Sequence, residues 1–197
     1  MISSHARSRV LRDVHILGNM ERVSVAELVA RYTSGQREFG AIDLREEDLF
    51  EIDLREIHLT GSDLTRAYLP YANLSQAQLQ NTIWDRAQMA DTKFYQTNLS
   101  QANLQGVDLS RANLRQTNLQ GANLRGADLQ EADLSNANLE NADLTGANLS
   151  RANLDRANLA GAKLGGSNFF RAKNVDFANA KLDSNTITPD GYRPDFP

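Results

Sequence analysis

The sequence predicts an all-β solenoid, and three observations support this fold class. Every fifth residue from Phe39 to Phe169 is large and apolar, most often Leu. The residue two positions earlier is usually small, and the residue between them is usually Asn or Asp. An apolar period of five fits neither the 3.6-residue turn of an α-helix nor the two-residue repeat of a β-strand. The chain therefore has to turn a corner in every unit and bury each unit against the next coil.

The most regular stretch, Ala102 to Gly166, consists of thirteen consecutive five-residue units. Units such as Ala122–Gly126, with the sequence A-N-L-R-G, and Ala142–Gly146, with A-D-L-T-G, resemble the repeats of the pentapeptide-repeat family. The resemblance covers about 140 of the 197 residues. It implies a right-handed quadrilateral β-helix with four units per coil, Leu and the small residue pointing inward, and about seven coils in all.

The chain is expected to divide into four segments. Residues 1–23 are a flexible N-terminal arm, within which Met20 is a second candidate for the start of the protein. Residues 24–38 form a short N-terminal capping helix and a lead-in, because Ser24 and Glu27 fit a capping box and Gly35 fits a helix stop. The helix is expected to cover the first coil, whose strand edges and core are otherwise open. Residues 39–182 are the β-helix, and residues 183–197 are a C-terminal tail over the last coil.

The first coils are the least regular part of the repeat. Glu47 occupies an inward position, where an unpaired charge is costly, so it is expected to reach solvent or a partner in the helix cap. Acidic residues concentrate in this region: Asp43, Glu46, Glu47, Asp48, Glu51, Asp53 and Glu56. A solvated face is the preferred interpretation of this charge, and an interaction patch is the alternative.

Two further patterns concern corners and core size. Gly ends a unit in only two of the four columns, for example at Gly121 and Gly126, which predicts a positive φ at those corners. One coil has Trp84, Met89 and Phe94 pointing inward, and these bulky side chains are expected to widen or distort the rod locally.

The candidate partner-binding surface is formed by Phe50, Tyr68, Pro70 and Tyr71. With four units per coil, these residues fall on one outer face of two adjacent coils. Clustered exposed aromatic residues are typical of contact surfaces, although Phe50 could instead pack under the N-terminal segment. Farther along the rod, the exposed charges are expected to form a ladder of Arg111, Glu131 and Arg151 that supports register only.

Composition limits the kind of partner. The net charge of −4 and the mixed charges of the repeats lack the basic stripe of a nucleic-acid-binding protein, so no direct nucleic acid binding is expected. The chain has no cysteine, which excludes thiolate metal sites and disulfides. Residues 1–38 lack the apolar run of a secretory signal, and no stretch has the roughly 18 apolar residues that span a bilayer. A cytoplasmic protein without membrane contact is therefore expected.

No residues with catalytic spacing were found in the sequence. His5, His15 and His58 are scattered and do not match a metal site. The repeated serines have no predictable base beside them, and a convex rod lacks the cleft that paired carboxylates need. The chain is therefore predicted to be a non-enzyme without catalytic residues, metal or cofactors.

Two functions from different classes fit the repeat. The first is a protein-interaction scaffold with a regulatory role for an unidentified protein partner, as the resemblance to cyanobacterial members of the family implies. The alternative, also implied by the resemblance, is a DNA mimic that binds and protects a type II topoisomerase, gyrase. The acidic first coils fit mimicry, but arginines such as Arg111 and Arg125 interrupt the acidic surface farther along. The topoisomerase-protecting relatives also imply a homodimer through the C-terminal end, which Phe170 and Phe177 would form.

Overall fold

The computed structural model describes residues 20–193, and its architecture is a stack of coils joined by parallel bridges. Through most of the stack, each bridge joins residues that are twenty apart, as in Asp43 with Asp63, Asp63 with Ile83, and Ile83 with Asn103. Twenty residues are four five-residue units, so each coil has four sides. The strand pairing therefore matches the predicted solenoid from one coil to the next.

The core is a single column of buried side chains along the inside of the stack. Leu104, Leu124 and Leu144 have no exposed surface, and the small residues Ala122 and Ala142 are equally buried. These two kinds of side chain belong to one contiguous cluster that runs through the rod. The five-residue apolar frame is thus the inward face, and burial of this face drives folding.

In a regular repeat unit, the backbone donors find acceptors in the same coil and in the two neighbouring coils, as the unit Ala122–Gly126 illustrates. Four of its N–H groups donate to backbone oxygens at 2.8–3.0 Å, those of Leu119, Ala102, Asp143 and Thr145. The fifth N–H, that of Arg125, donates to the side-chain Oδ1 of Asn123 at 3.2 Å. Buried or half-buried donors without acceptors are costly. This Asx turn explains why Asn or Asp precedes the inward Leu in so many units.

Positive φ angles occur at the corners of all four columns, whereas the distribution of glycine predicted them in only two. The φ angle is +64° at Gly126, but it is also +55° at Arg111 and +57° at Gln116. The corner turn between Leu and the next small residue requires a left-handed residue at its third position. Glycine adopts this conformation without a steric penalty, and the other residues adopt it at a cost that the coil's hydrogen bonds offset.

The N-terminal elements lie against the first coil. Strand β1, Glu21–Arg22, pairs in parallel with strand β2, Ile42–Asp43. Helix α1, Val25–Thr33, begins after Ser24, whose hydroxyl accepts the Glu27 N–H at 3.3 Å. Leu28 of this helix is fully buried in the same cluster as the inward leucines.

Glu47 has the partner that an inward carboxylate needs. Its Oε1 accepts a hydrogen bond from Nη2 of Arg22 at 2.8 Å, just before helix α1. The same arginine donates from Nη1 to Asp43 Oδ1 at 3.0 Å, and Arg45 donates to both oxygens of Asp43. The Arg45 side chain, its backbone N–H and Arg22 together hold the pKa of Asp43 well below its usual range.

This network predicts an acid-sensitive first coil. A carboxylate whose pKa is depressed by folding stabilises the protein above its unfolded pKa of about 3.9, and this stabilisation is lost as the pH falls below that value. Asp43→Asn should lower the free energy of unfolding at neutral pH by about 1.5–3 kcal/mol, because two charge-assisted contacts are lost. The difference from the parent protein should shrink in urea titrations below pH ~4.

Asp53→Asn is the matched control for this prediction. Asp53 also pairs with an arginine, Arg55, at 3.0 Å, but its side chain is half exposed. Exposed pairs contribute roughly 0–1 kcal/mol, so this variant should change little. Equal losses in the two variants, or a loss for Asp43→Asn that stays constant with pH, would contradict the role assigned to Asp43.

The layer of bulky inward side chains does not separate its coil from the next one. Trp84 and Phe94 are fully buried, and their rings meet edge to face at 6.4 Å between centroids. The backbone bonds from the N–H groups of Trp84, Met89 and Phe94 to the next coil are all 2.8 Å long, as elsewhere in the rod. The expected local distortion does not reach the hydrogen-bond ladder.

The register changes at the C-terminal end. Lys163 bridges Lys181 and Asn168 bridges Ile187, which are spacings of eighteen and nineteen residues rather than twenty. The tail adds its backbone to the last coil, since the Phe169 N–H donates to Ile187 O at 2.7 Å. The irregular segment after Phe169 thus ends the repeat but continues the stack.

Candidate functional site

Three of the four residues predicted to bind a partner lie together on the outside of the first coils. The ring of Phe50 is 6.1 Å from that of Tyr68, with planes 14° apart, and 5.9 Å from that of Tyr71, with planes 85° apart. These side chains keep 45%, 39% and 54% of their surface exposed, respectively. We call Phe50, Tyr68 and Tyr71 the aromatic patch.

The twenty-residue register explains why these rings meet. Asp48 and Tyr68 form a parallel bridge, and the Glu51 N–H donates to Pro70 O at 3.0 Å. Consecutive coils therefore place Tyr68 over Asp48 and Tyr71 over Glu51. Stacked strands are about 4.8 Å apart, which is within contact range for aromatic side chains.

Pro70 is buried, unlike the three aromatic residues. In a regular unit, the residue at this position donates its N–H to the Asn or Asp side chain two residues earlier, as Phe50 does to Asp48 Oδ1 at 3.1 Å. Tyr68 stands where that Asn or Asp would be and offers no such oxygen. Proline has no N–H, so the replacement leaves no unsatisfied donor. Because Pro70 is buried, it adds no exposed surface to the aromatic patch.

The edge of the aromatic patch toward the first coil is acidic. Asp48 and Glu51 lie below the two tyrosines, and neither forms an ion pair with another residue in the range 20–193. On the opposite side, Asp91 accepts two hydrogen bonds from Arg111, at 3.0 and 2.7 Å. The patch thus combines exposed aromatic surface with negative charge on one side.

The charge ladder on this face differs in detail from the prediction. Arg151 pairs with Glu131 at 3.1 Å, as expected, but Arg111 pairs with Asp91 and not with Glu131. Sequence reasoning missed Asp91 as a member of the ladder, as well as Arg171 at its far end. Counting in steps of twenty from Glu51 finds both.

The two phenylalanines predicted to mark a C-terminal dimer occupy different environments. Phe177 packs edge to face on Phe169, with centroids 5.1 Å apart, and is partly buried against the core. Phe170 is 41% exposed, and the guanidinium of Arg171 lies 5.1 Å from its ring. Phe177 therefore closes the stack, and Phe170 is the exposed residue of the pair.

The other chemical candidates have structural roles where the structure describes them. His58 Nδ1 is 2.5 Å from Glu38 Oε1 on the outside of the first coil. Ser75 Oγ donates to Asn73 Oδ1 at 2.7 Å, within the turn of its own unit. No group of three or more His, Cys, Asp or Glu side chains in residues 20–193 could hold a metal ion. His5 and His15 lie outside the described residues.

Over the same range, the structure contains no helix with the length and apolar character needed to cross a bilayer.

The family model described as pentapeptide repeats matches the chain in eight copies, within residues 48–83, 72–111, 92–130, 108–146 and 132–169. No curated protein matches the chain.

Several solved structures resemble it. HetL, a pentapeptide repeat protein involved in heterocyst differentiation regulation in the cyanobacterium Nostoc sp. strain PCC 7120, is 26% identical, with a TM-score of 0.36, over 87% of this chain and 100% of that one. A pentapeptide repeat protein of the Arabidopsis thaliana thylakoid lumen is 30% identical, with a TM-score of 0.46, over 54% and 71%. QnrB1, a plasmid-mediated fluoroquinolone resistance protein, is 17% identical, with a TM-score of 0.46, over 76% and 80%.

Proposed function

The chain belongs to the pentapeptide-repeat family, whose members adopt a right-handed quadrilateral β-helix, and we propose that it is a non-enzymatic protein-interaction scaffold with a regulatory role. The observation that carries the proposal is the aromatic patch, in which Phe50, Tyr68 and Tyr71 pack against one another and still remain exposed. Members of this family are generally structural or interaction proteins. The proposed partner is an unidentified protein in the cytoplasm.

Within this proposal, the regular coils are a rigid support and the ends are specialised. Residues 24–38 cap the first coil, residues 39–182 form the β-helix of about seven coils, and residues 183–197 cover its end. Burial of Leu28 in the common core supports the capping role of the helix. Most of the proposed arm, residues 1–23, and the last four residues of the tail lie outside the described residues.

The aromatic patch is proposed to supply most of the binding energy. Tyrosine side chains bury large apolar surfaces at low entropic cost and are enriched among the residues that dominate interfaces. Two such rings, both packed on Phe50, are held in place before the partner arrives. Pre-organisation of this kind reduces the cost of ordering side chains on binding.

Replacing Tyr68 and Tyr71 together with alanine should abolish capture of the partner in pull-downs from the native cell. Truncation of one dominant interface residue costs roughly 2 kcal/mol or more, so the double variant should bind at least about a thousandfold more weakly. Tyr95→Ala is the matched control, because Tyr95 is a half-exposed tyrosine on another face. The circular dichroism spectrum should be unchanged in both variants. Retained capture by the double variant would exclude the aromatic patch as the binding surface.

A DNA mimic that binds and protects gyrase is the second candidate function. The exposed carboxylates of the first coils, such as Glu46, Glu51 and Glu56, favour it. Farther along the rod, the acidic residues Asp91 and Glu131 are neutralised by ion pairs with Arg111 and Arg151. This neutralisation favours the scaffold. Gyrase supercoiling assays with excess protein separate the two functions, because a mimic must change the enzyme's activity or its sensitivity to inhibitors.

A further inference from the structure

One face of the rod is almost free of charge. Its coils are residues 56–61, 76–81, 96–101, 116–121, 136–141 and 156–161, which stack in steps of twenty through the parallel bridges from His58 to Asn158. In the four middle segments, the outward residues are Gln, Asn, Ser and Gly, and Glu140 is the one charged side chain, although 23% of the whole chain is charged. Glu56 and Arg156 lie at the two ends. We call these six segments the amide face.

The side-chain amides of this face are ordered by hydrogen bonds from coil to coil. Asn138 Nδ2 donates to Asn118 Oδ1 at 3.4 Å, and Asn118 Nδ2 donates to Asn98 Oδ1 at 3.3 Å. On the neighbouring corner, Gln96 Nε2 donates to Gln116 Oε1 at 2.8 Å. Each of these bonds uses one of the two N–H groups of an amide, so the other can donate outward. Side chains that are already held in place lose little freedom when a partner covers them.

We propose that the amide face binds a second copy of the chain, with the two rods antiparallel and the two amide faces in contact. The two-fold axis lies in the plane of contact, perpendicular to the rods, and passes between the coils of Asn98 and Asn118. This operation overlaps the six coils and keeps each column of stacked residues opposite itself. Charge selects this register, because it brings Glu56 of one copy opposite Arg156 of the other.

The opposing residues in the middle of the overlap are compatible. Asn98 faces Asn118 next to the axis, and one coil farther out Gln80 faces Glu140, whose carboxylate can accept an amide N–H. The other positions of the four middle segments pair Gln, Asn, Ser or Gly with one another. No charge in this region therefore faces another charge of the same sign.

The ends of the overlap carry opposite charges. Glu56 faces Arg156 at the edge of the amide face, and the isologous interface forms this contact twice. The Arg156 side chain is 80% exposed and only 3.9 Å from Asp155 of its own chain, so it is open to a carboxylate of the other copy. The columns beside the amide face repeat the pattern: Arg55 faces Asp155, and Asp63 faces Lys163.

The composition of the amide face suits an interface core, which is depleted of charged residues. An amide is both donor and acceptor, so a second amide face offers partners to the first, and ladders of Asn and Gln pack closely between facing sheets. An unrelated protein would need the same amides and charges at the same spacing, whereas a second copy presents them by symmetry. The six coils span roughly 24 Å from first to last, which limits the interface to under roughly 1,200 Å² in total. We therefore expect a dissociation constant in the micromolar range or above.

This dimer goes beyond the proposed function and uses no residue of the aromatic patch. The amide face lies two units away from that patch in each four-sided coil, on the opposite side of the rod. Both copies therefore keep their aromatic patches exposed, on the two outer sides of the dimer. The arrangement is also distinct from a dimer through the C-terminal ends, in which Phe170 would lie at the contact.

Opposite charges introduced at Gln80 test the proposal, with sedimentation velocity of the full chain from roughly 1 µM to 1 mM. Gln80→Glu places a carboxylate opposite Glu140 twice and should weaken the dimer about tenfold, whereas Gln80→Lys should tighten it severalfold. Both variants are expected to fold, because Gln80 is partly exposed and its column neighbours Thr60 and Ser100 are neutral. Gln130→Glu and Gln130→Lys are the matched controls, since Gln130 holds the same position of its unit on the opposite face. They should leave association unchanged.

Charge exchange between Glu56 and Arg156 tests the register. Glu56→Arg and Arg156→Glu should each weaken the dimer about tenfold, because each places like charges opposite one another twice. Mixing the two variants should restore association, since each edge of the mixed dimer then pairs one arginine with one glutamate. The double variant, which carries both exchanges, should again form its own dimer.

Three results would overturn the proposal: a parent protein that stays monomeric up to about 1 mM, Gln80 variants that both associate like the parent, or no restoration by mixing. Weaker association of Phe170→Ala, with Gln80→Glu like the parent, would indicate a dimer through the C-terminal ends instead. The outcome is separable from that of the proposed function. Tyr68→Ala with Tyr71→Ala leaves the amide face intact, so this variant should dimerise like the parent whether or not it retains the cellular partner.

Discussion

Leu124→Asp is expected to prevent the central coils from folding. Leu124 has no exposed surface and lies in the middle of the stack, with inward leucines on the coils before and after it. A lone carboxylate in this position has no cationic partner within the apolar core, and burying it costs several kcal/mol. That cost is a large part of the roughly 5–15 kcal/mol by which a domain is stable.

The response should be more than a small shift of the melting temperature. In a solenoid, each coil contacts only its neighbours, so a defect in the middle separates the stack into two shorter blocks. Thermal melts followed by circular dichroism should show loss of cooperativity as well as reduced ellipticity at 25 °C. Limited proteolysis should cut near the altered coil.

Two controls isolate the effect of burial. Arg125→Asp adds a carboxylate at the next residue, which is exposed, and removes the 3.4 Å ion pair of Arg125 with Asp143, so it should cost about 1 kcal/mol or less. Leu124→Met keeps an apolar side chain of similar volume and should cost less than about 1.5 kcal/mol. A melting curve for Leu124→Asp that matches these controls would show that the five-residue frame does not point inward here.

The inward frame was predictable because the repeat encodes it at every unit. A five-residue apolar period leaves only one face for Leu and for the small residue before it, and the structure buries both kinds from Ile57 to Phe169. The stacking of Phe50 beneath Tyr68 and Tyr71 followed from four units per coil. The register is strongly specified, since shifting the frame by one residue would expose the entire core.

The corner conformations and the burial of Pro70 were harder to predict. Glycine marks a left-handed corner in the sequence, but Arg111 and Gln116 adopt the same φ because the surrounding hydrogen bonds hold them there. Pro70 occupies an outward position of the repeat and is buried nonetheless. Side-chain directions depend on torsions and on neighbouring rings, which a twenty-residue spacing does not specify.

The five-residue pattern could not predict contacts between a repeat unit and a residue outside the regular repeat. The sequence indicated that Glu47 needed a partner, but Arg22 lies before the first unit and has no fixed offset from it. The same applies to Thr186, whose hydroxyl donates to Leu164 O at 2.9 Å where the register has changed. Periodicity predicts a partner only where both residues obey the period.

Trp84→Ala is expected to be the most damaging truncation of a single apolar side chain. The indole is fully buried, meets the Phe94 ring edge to face at 6.4 Å, and donates from Nε1 to Thr82 Oγ1 at 2.7 Å. Truncation of a buried tryptophan leaves a large cavity and typically costs about 3–5 kcal/mol. Because the backbone bonds at this coil are no longer than elsewhere, the coil has little freedom to collapse around the cavity.

Urea unfolding followed by circular dichroism measures this effect, since Trp84 is the only tryptophan and its fluorescence is lost in the variant. Trp84→Leu is the matched control, because leucine occupies the equivalent inward position in the coils on either side, at Leu64 and Leu104. It restores part of the buried volume and should recover roughly half of the loss, since about half of the cost is the cavity that remains. Thr82 keeps its own bond to Leu79 O at 2.6 Å in both variants, so the polar contribution is the same. A decrease of less than about 1 kcal/mol in the free energy of unfolding of Trp84→Ala would show that this layer of the core is loosely packed.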